Sequence, residues 1–435
     1  MRNILIIFSL LLSTIAYSQE TATQLSLQEA INYALENNRT VKNAALDIDA
    51  AIKQKWETTA TGLPQLSAAV DYQNALKRNV FVFGDQIIQV GSQHTLTGTA
   101  TLSQLLFDGS YLVGLQSAKV YLEISKNAKT KTDLEVRKAV INAYGNVLLA
   151  EESISILNRN ITVLDKNLNE VTKIFENGLE EEESVEQLKI TLSSVKSRLN
   201  NTTRLRDLAY QMLNLTIGKP INDKTVLTED LDALTLQNIK LEVLDTDNNV
   251  ENNIDYKIAE NDKTAKELLV KLEKSKALPS LSAFINGAYT GNRESFNFTN
   301  TQEKWFGSSI FGVSLNVPIF SSGMRSAATQ RAAINLEKAE INLTETEEML
   351  NLQVNAAKSD YQFAIEDYQN KKDNLTLAER IEQKNQTKFF EGIGSSFDLR
   401  QAQTQLYTAQ QELLQTMLDV ITKKAELDTL LNTTN

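Results

Sequence analysis

Two stretches of this chain repeat one another 214 residues apart. Gly178-Leu179, followed by Val185, Leu188, Leu192, Val195 and Leu199, returns as Gly392-Ile393, followed by Leu399, Ala402, Leu406, Ala409 and Leu413; Gln187 returns as Gln401. Upstream, Leu63-Pro64-Gln65-Leu66-Ser67-Ala68 returns as Leu278-Pro279-Ser280-Leu281-Ser282-Ala283, one residue off that spacing. A period this long exceeds the roughly 20–50 residues of a solenoid unit, so each half must be a whole supersecondary assembly. The halves divide as residues 19–216 and 254–435, joined by a connector over 217–253, behind a signal peptide over 1–18.

Within each half the hydrophobic period changes twice. Leu27, Ile31, Ala34 and Leu35 make one stripe behind Ser26, a helix over 27–36 with a serine N-cap. Asn37-Asn38 breaks it, and Val41, Ala44, Ala45, Ile48, Ala51 and Ile52 carry a second helix over 40–59. After Pro64 the period drops to two. Leu66, Ala68, Val70 and Tyr72 alternate with polar or small residues, and Leu96, Gly98, Ala100 and Leu102 alternate with Thr95, Thr97, Thr99, Thr101 and Ser103. The second half repeats this with Leu281, Ala283, Ile285 and Tyr289, then Phe311, Val313, Leu315 and Val317. The reading is two β-hairpins within 64–107 and 279–320, with long loops over 79–93 and 291–306. The alternation leaves open which strand face meets water.

The stretch from Ser110 to Asn177 has no Pro and reads as one helix of ~68 residues, about 100 Å at 1.5 Å per residue. Its last third carries a heptad seam, with Ile154, Ile161, Leu168 and Phe175 at one position and Leu157, Leu164 and Val171 at the other. Gly178 ends it as a left-handed cap, and the chain returns as a helix over 184–216, making a helical hairpin over 110–216. The second helical hairpin spans 325–431 and turns at Glu391-Gly392-Ile393-Gly394. The outgoing arms are about twice as long as the returning ones. The spare helices 40–59 and 254–275 are therefore expected to stack end to end on the returning arms and cover the rest of the apolar stripe.

Residues Arg2 to Ser18 have the charge, apolar run and small-residue ending of a secretory signal peptide. The chain has no Cys, so neither a disulfide nor lipid on a cysteine is available. Its formal charge of −11 argues against nucleic acid as a partner. With a single His and no thiol, no zinc site of the usual kind and no His- or Cys-based catalysis is expected. No catalytic, metal or cofactor-binding residue stands out, and the chain does not read as an enzyme.

Three segments carry a family resemblance: Leu278-Pro279-Ser280-Leu281, Leu315-Asn316-Val317-Pro318-Ile319-Phe320-Ser321-Ser322-Gly323, and Phe390 to Leu406 around the second turn. Phe107-Asp108-Gly109 and Glu176-Asn177-Gly178-Leu179 match more loosely. In this order and duplicated, they make the chain resemble the TolC-like outer-membrane channels, the outer membrane factors of efflux and secretion, over nearly all of its length. The resemblance implies an α+β membrane protein in the outer membrane that extends into the periplasm. It implies a homotrimer in which each chain gives four strands to a twelve-stranded β-barrel in lipid, continuous with a periplasmic α-helical barrel. It further implies a passive duct of a tripartite efflux or type I secretion system, opened at its periplasmic tip by an adaptor (membrane fusion) protein coupled to an inner-membrane pump. Four strands cannot close a barrel alone, and an open sheet edge cannot face hydrocarbon. The alternative is a soluble periplasmic coiled-coil scaffold, which gives no reason for long strands with one hydroxylated face.

The resemblance also points to site residues. Asp398 falls where the family places the first of two acidic residues at the pore constriction, while Gln401 holds the second place; Ser184 and Gln187 are their counterparts in the first half. Asp398 reads equally as a carboxylate favoured by a helix N-terminus. Gly178, Leu179, Gly392, Ile393 and Gly394 are the expected adaptor contacts at the tips, and they also suit ordinary left-handed turns. The run Glu180 to Glu183 is a solvated helix start or adds negative potential at the mouth. Trp305 is expected in an aromatic girdle, whereas Trp56 suits either the inner interface or the core. His94 is expected at a loop end.

Overall fold

The computed structural model describes residues 23–246 and 249–432; the expected signal peptide lies outside them. In chain order the elements are β1 (Thr23–Leu25), α1 (Leu27–Asn37), α2 (Arg39–Ala60), β2 (Gln65–Asn74), β3 (Asn79–Phe83), β4 (Gln86–Val90), β5 (His94–Phe107), α3 (Gly109–Glu176), α4 (Glu182–Ile217), β6 (Thr225–Leu227), α5 (Leu231–Asn238), α6 (Ile254–Ser275), β7 (Ser280–Arg293), β8 (Trp305–Asn316), α7 (Met324–Phe390) and α8 (Ser396–Leu431). Two short 3-10 turns, Leu241–Asp245 and Val250–Asn252, precede α6. Among the described residues no helix is long and apolar enough to cross a membrane.

The chain divides into two compact units, and each draws on both sequence halves. Of the described residues, one unit holds those up to 45, 128–257 and those from 346 onward; the other holds 46–127 and 258–345. The second unit contains the sheet. Its strand order is β2-β5-β7-β8, with antiparallel pairing throughout, so the two hairpins lie side by side and β2 and β8 are the free edges. The register shows how the faces of the four strands combine. Leu66 pairs with Leu102, which pairs with Ile285, which pairs with Phe311. Ser67 pairs with Thr101, which pairs with Asn286. The four alternating apolar sets therefore share one face and most hydroxyls and amides the other, which also carries Phe284, Phe306 and Ile310. Across the polar face the Thr97 and Thr290 hydroxyls lie 3.2 Å apart, and Asn286 Nδ2 donates to Thr101 Oγ1 at 3.0 Å. On the apolar face Val70, Phe311 and Leu315 are largely exposed.

The loop expected over 79–93 is instead a separate ribbon, β3 paired with β4 across the Gly84-Asp85 turn. Large apolar residues occupy both of its faces, so it lacks the clean alternation that marks a strand in sequence. Gly84, at φ +63°, supplies the left-handed conformation the turn needs.

The first unit's core is built on α3, α4, α7 and α8 with β1 and α5 packed on them. Tyr144 and Tyr361, one on each long helix, are fully buried. Tyr144 Oη donates to the Leu25 carbonyl in β1 (3.1 Å), and Tyr361 Oη donates to the Asn238 carbonyl at the end of α5 (2.5 Å). A buried phenol needs such a partner, and here each fixes a flanking element against a helix. Two parts of the connector pack here: β6 pairs in parallel with β1, and α5 lies against α8.

One device, used twice, ties the start of a spare helix to the end of a returning arm. Asn38 Nδ2 donates to the Thr216 carbonyl at the end of α4 while its Oδ1 accepts from Thr40 N, each at 2.7 Å. Asn253 Nδ2 donates to the Leu430 carbonyl at the end of α8 while its Oδ1 accepts from Asp255 N, again at 2.7 Å. Each asparagine caps the start of one helix and satisfies a terminal carbonyl of another. Gly218 is required at the first junction. Its φ is +90°, and a Cβ there would lie 2.4 Å from the Asn37 carbonyl oxygen.

Candidate functional site

The two helical turns are built alike. At the first, Gly178 N donates to the Phe175 carbonyl (2.8 Å) and Leu179 N to the Ile174 carbonyl (3.1 Å). At the second, Gly392 N donates to the Phe389 carbonyl (3.0 Å) and Ile393 N to the Lys388 carbonyl (2.9 Å). Both are Schellman ends, with Gly178 and Gly392 at φ +73° and +76°. The residue that follows such a glycine commonly folds its apolar side chain back onto the helix. Here Leu179 and Ile393 are instead 78% and 72% exposed, an apolar knob on each turn. Gly394 serves a different need, since a Cβ would lie 3.0 Å from Lys388 Cβ and 3.1 Å from Phe389 N.

Behind the turns, Leu157, Leu164 and Val171 of α3 meet Val185, Leu188, Leu192 and Val195 of α4 in one buried cluster, joined from the second hairpin by Phe389 and Leu399. The seam expected between α3 and α4 is present, although Phe175 at its end is partly exposed. Between this cluster and the main core, polar contacts join the hairpins. Asn160 Nδ2 donates to Gln410 Oε1 (2.8 Å), and Gln386 Nε2 donates to Asn167 Oδ1 (2.9 Å). Gln403 is 1% exposed, and neither of its polar side-chain atoms closes a hydrogen bond. Its amide faces Glu382, whose carboxyl is pushed above the usual range by burial, with the nearby Gln403 amide opposing. Burial and then the Glu382 charge likewise push the Tyr407 phenol up.

The four expected constriction residues fall in unlike places. Asp398 is exposed and closes a reciprocal helix cap: its backbone N–H donates to Ser395 Oγ (3.1 Å), and Ser395 Oγ donates to Asp398 Oδ2 (2.7 Å). Gln401 is exposed, one turn on. It lines a groove of about 860 Å³ between α7 and α8 with Leu377, Ile381, Phe397, Arg400 and Thr404. Ser184 departs from the expectation. It is 4% exposed inside the first turn, and its hydroxyl donates to Glu180 Oε1 at 2.6 Å. The position that is open in the second hairpin is packed in the first, because Glu180 closes back over the helix start. Gln187 is half-buried and donates to Glu183 Oε1 (2.6 Å), so Glu180 and Glu183 are both engaged locally.

At the end of the sheet away from its helices, Trp305 stacks on Tyr289 with ring centres 5.7 Å apart. Arg293, its side chain 2% exposed, lies over Trp305 and Phe298 and pairs with Glu303 at 3.1 Å. Its guanidinium also donates to the Glu303 and Lys304 carbonyls, which pins the β7–β8 loop. His94 opens β5, with Nδ1 2.8 Å from the Tyr72 hydroxyl. Trp56 is exposed near the end of α2. Sequence reading missed Arg293, the twinned asparagines and the polar contacts between hairpins. Asn38 and Asn253 alone left a trace, because they obey the repeat.

A one-sided four-stranded sheet is joined in sequence to paired helical hairpins, and outer-membrane proteins of known structure share this build. The chain matches the outer membrane efflux protein family over residues 30–219 and 247–433, and it belongs to that family. It is a protein of the outer membrane. It is 22% identical to a probable efflux pump outer membrane protein, TtgC of Pseudomonas putida, over 92% of this chain and 82% of that one. It is 24% identical to outer membrane protein TolC of Vibrio cholerae over 71% and 68%. The fold is similar to that of CusC (TM-score 0.77, 19% identity, 93% and 91% of the chains) and of VceC from Vibrio cholerae (0.74, 15%, 93% and 95%). The matched segments nearly coincide with the two halves of the internal repeat.

Proposed function

We propose that three copies of this chain form a passive exit duct, with a twelve-stranded barrel in the outer membrane and helical hairpins that reach toward an adaptor and an inner-membrane pump. The observation that carries the reading is the register, which gathers the alternating apolar set of each strand on one face while leaving an outer edge of β2 and of β8 unpaired. That face is covered by lipid, and the hydroxylated face lines water. The edges support closure between copies. Strands alternate in direction from β2 to β8, so β8 of one copy meets β2 of the next antiparallel, with apolar faces continuous. A soluble scaffold gives no account of such a face. Under this reading each sequence half is one structural repeat, and Trp305 and Tyr289 sit at the outer interface as part of an aromatic girdle.

The tips are the contact for the adaptor, through Leu179 and Ile393 on the turns held by Gly178, Gly392 and Gly394. Asp398 and Gln401 face the constriction, and three copies of Asp398 make an acidic ring that favours cations. Its capping role leaves the carboxylate exposed, so the two roles are compatible. Opening requires the adaptor to bind the open tips more tightly than the closed ones. Deleting residues 392–396 is expected to abolish export while leaving trimers in the membrane; unchanged export would refute the assignment of the tips.

A further inference from the structure

The β3–β4 ribbon is unexplained by the duct alone. It rises between β2 and β5 at the end of the sheet that also carries the β7–β8 loop, opposite the end from which α2, α3, α6 and α7 leave. Its foot is fixed: Ala75 N donates to the Gln93 carbonyl at 2.8 Å, and Arg78 is ion-paired with Glu294 of the β7–β8 loop. Beyond the foot it stands in a two-stranded ladder of its own. The register places Phe81, Phe83, Ile88 and Val90 on one face and Val80, Val82 and Ile87 on the other. All of them are exposed, Phe83 to 83% and Val82 to 70%. A lone two-stranded hairpin is marginal in water, and one that is apolar on both faces needs a cover.

We propose that this cover is the same ribbon of the other two copies, and that the three ribbons meet over the outer mouth of the barrel as an apolar lid. The inference rests on the trimeric duct reading. Three observations choose this occupant. The ribbon directly follows β2, the free edge through which copies would join, so a closed ring places three ribbons around one axis. A twelve-stranded barrel has a radius of roughly 12 Å from a strand spacing of ~4.8 Å and a tilt near 40°, while a five-residue strand spans ~17 Å, so each ribbon reaches the axis. Between residues 79 and 93 the only charge is Asp85, so three ribbons gather without strong repulsion. Lipid is the poorer cover, because the outer edges of β3 and β4 would carry open N–H and C=O groups into hydrocarbon.

The natural absence of cysteine makes a direct test possible in the full chain in its own membrane. Val82→Cys places a thiol in the ribbon, and Leu76→Cys places one three residues before it at a site that is 95% exposed. Mild oxidation is expected to link Val82→Cys chains into disulfide dimers at least tenfold faster than Leu76→Cys chains. Phe81→Asp with Ile87→Asp is expected to raise single-channel conductance or uptake of a bulky glycopeptide antibiotic several-fold, with trimers intact. The lid is overturned if trimers of native size form and Val82→Cys links no faster than Leu76→Cys. It is also overturned if a dye attached to the thiol of the Val82→Cys variant is quenched by lipid-borne quenchers. If no trimer forms at all, the duct reading fails as well, and native size distinguishes that outcome from failure of the lid alone.

Discussion

Ile310 and Phe311 are neighbours on β8, both exposed and both apolar, and they fall on opposite faces of the sheet. Phe311 pairs with Ile285 in the apolar set, and Ile310 pairs with Asn286 in the polar one. Replacing each with Arg asks which face meets lipid at one depth and with one chemistry. Phe311 lies six residues beyond Trp305, about 20 Å along the strand and ~15 Å along the axis of a tilted barrel, which is near the middle of a ~25–30 Å apolar band. A charge at that depth on the lipid side costs ~2–4 kcal/mol per chain, roughly a 30- to 700-fold shift in the folding equilibrium. On the water side the same charge is a surface substitution and costs at most ~1 kcal/mol. Denaturant titration of the two variants in phospholipid vesicles, followed by tryptophan fluorescence, measures the difference. The expected order is wild type, Ile310→Arg close behind, and Phe311→Arg far below. An equal loss in the two variants, or the reverse order, would sink the assignment of the faces.

Other consequences are open to simpler tests. Leu164→Ala removes a fully buried side chain from the α3–α4 seam and should cost about 3 kcal/mol, seen as faster amide exchange confined to the first helical hairpin. Asn253→Ala and Asn38→Ala should each lose ~1–2 kcal/mol of stability in thermal melts, since each deletes a cap and leaves the Leu430 or Thr216 carbonyl unpaired. Gly218→Ala should melt lower than either, because it adds strain at φ +90° to a clash with the Asn37 carbonyl. Glu382 has its carboxyl raised above 4.5 in the folded chain, so the folded state takes up its proton more readily than the unfolded one. Its contribution to stability is present below the unfolded pKa and is lost as pH rises through the folded pKa. Glu382→Gln should therefore stabilise the hairpins near about pH 7 and have no such effect near about pH 4, as read by melting temperature at the two values.

Much of this architecture is legible in the sequence because the determinants are periodic. Helix spans such as Ile254–Ser275 and the turns at Gly178 and Gly392 follow from spacing, the absence of proline and the left-handed preference of glycine. Features that depend on pairing partners are not legible. The common apolar face needs the register of β5 against β7, strands that lie far apart along the chain. The β3–β4 ribbon escapes notice because residues apolar on both faces give no period-two signal. Ser184 looks equivalent to Asp398 by position, yet its burial depends on Glu180, which has no counterpart of the same kind at Gly394. Arg293 is an unremarked charge in sequence; only the fold assembles aromatic rings and carbonyls around it.

The two kinds of seam at the helical turns differ in the cost of rearranging them, and that difference bears on opening. Separating α3 from α4 exposes Leu157, Leu164, Val171 and their aliphatic partners, each worth ~1.5–3 kcal/mol of burial. Shifting one hairpin against the other breaks Asn160–Gln410 and Asn167–Gln386, amide contacts worth about 1 kcal/mol each that water replaces. Gln403 is buried with its amide near Glu382 and no closed hydrogen bond, so it favours any shift that admits water. Phe389 and Leu399 oppose the shift at the turns themselves, and behind the polar contacts the shared core of Tyr144, Val147 and Leu148 with Tyr361, Leu413 and Met417 anchors the two hairpins to each other. The turn-side end of each hairpin is thus expected to move as a unit, pivoting on that core. Gln403→Leu should remove the penalty and strengthen the packed state by ~1–3 kcal/mol. In a reconstituted duct it is expected to lower the open fraction by about tenfold in planar-bilayer recordings, and a cysteine pair across α3 and α4 is expected to leave gating intact. If Gln403→Leu opens as readily as the parent while the α3–α4 crosslink abolishes opening, the moving boundary lies within the hairpins and not between them.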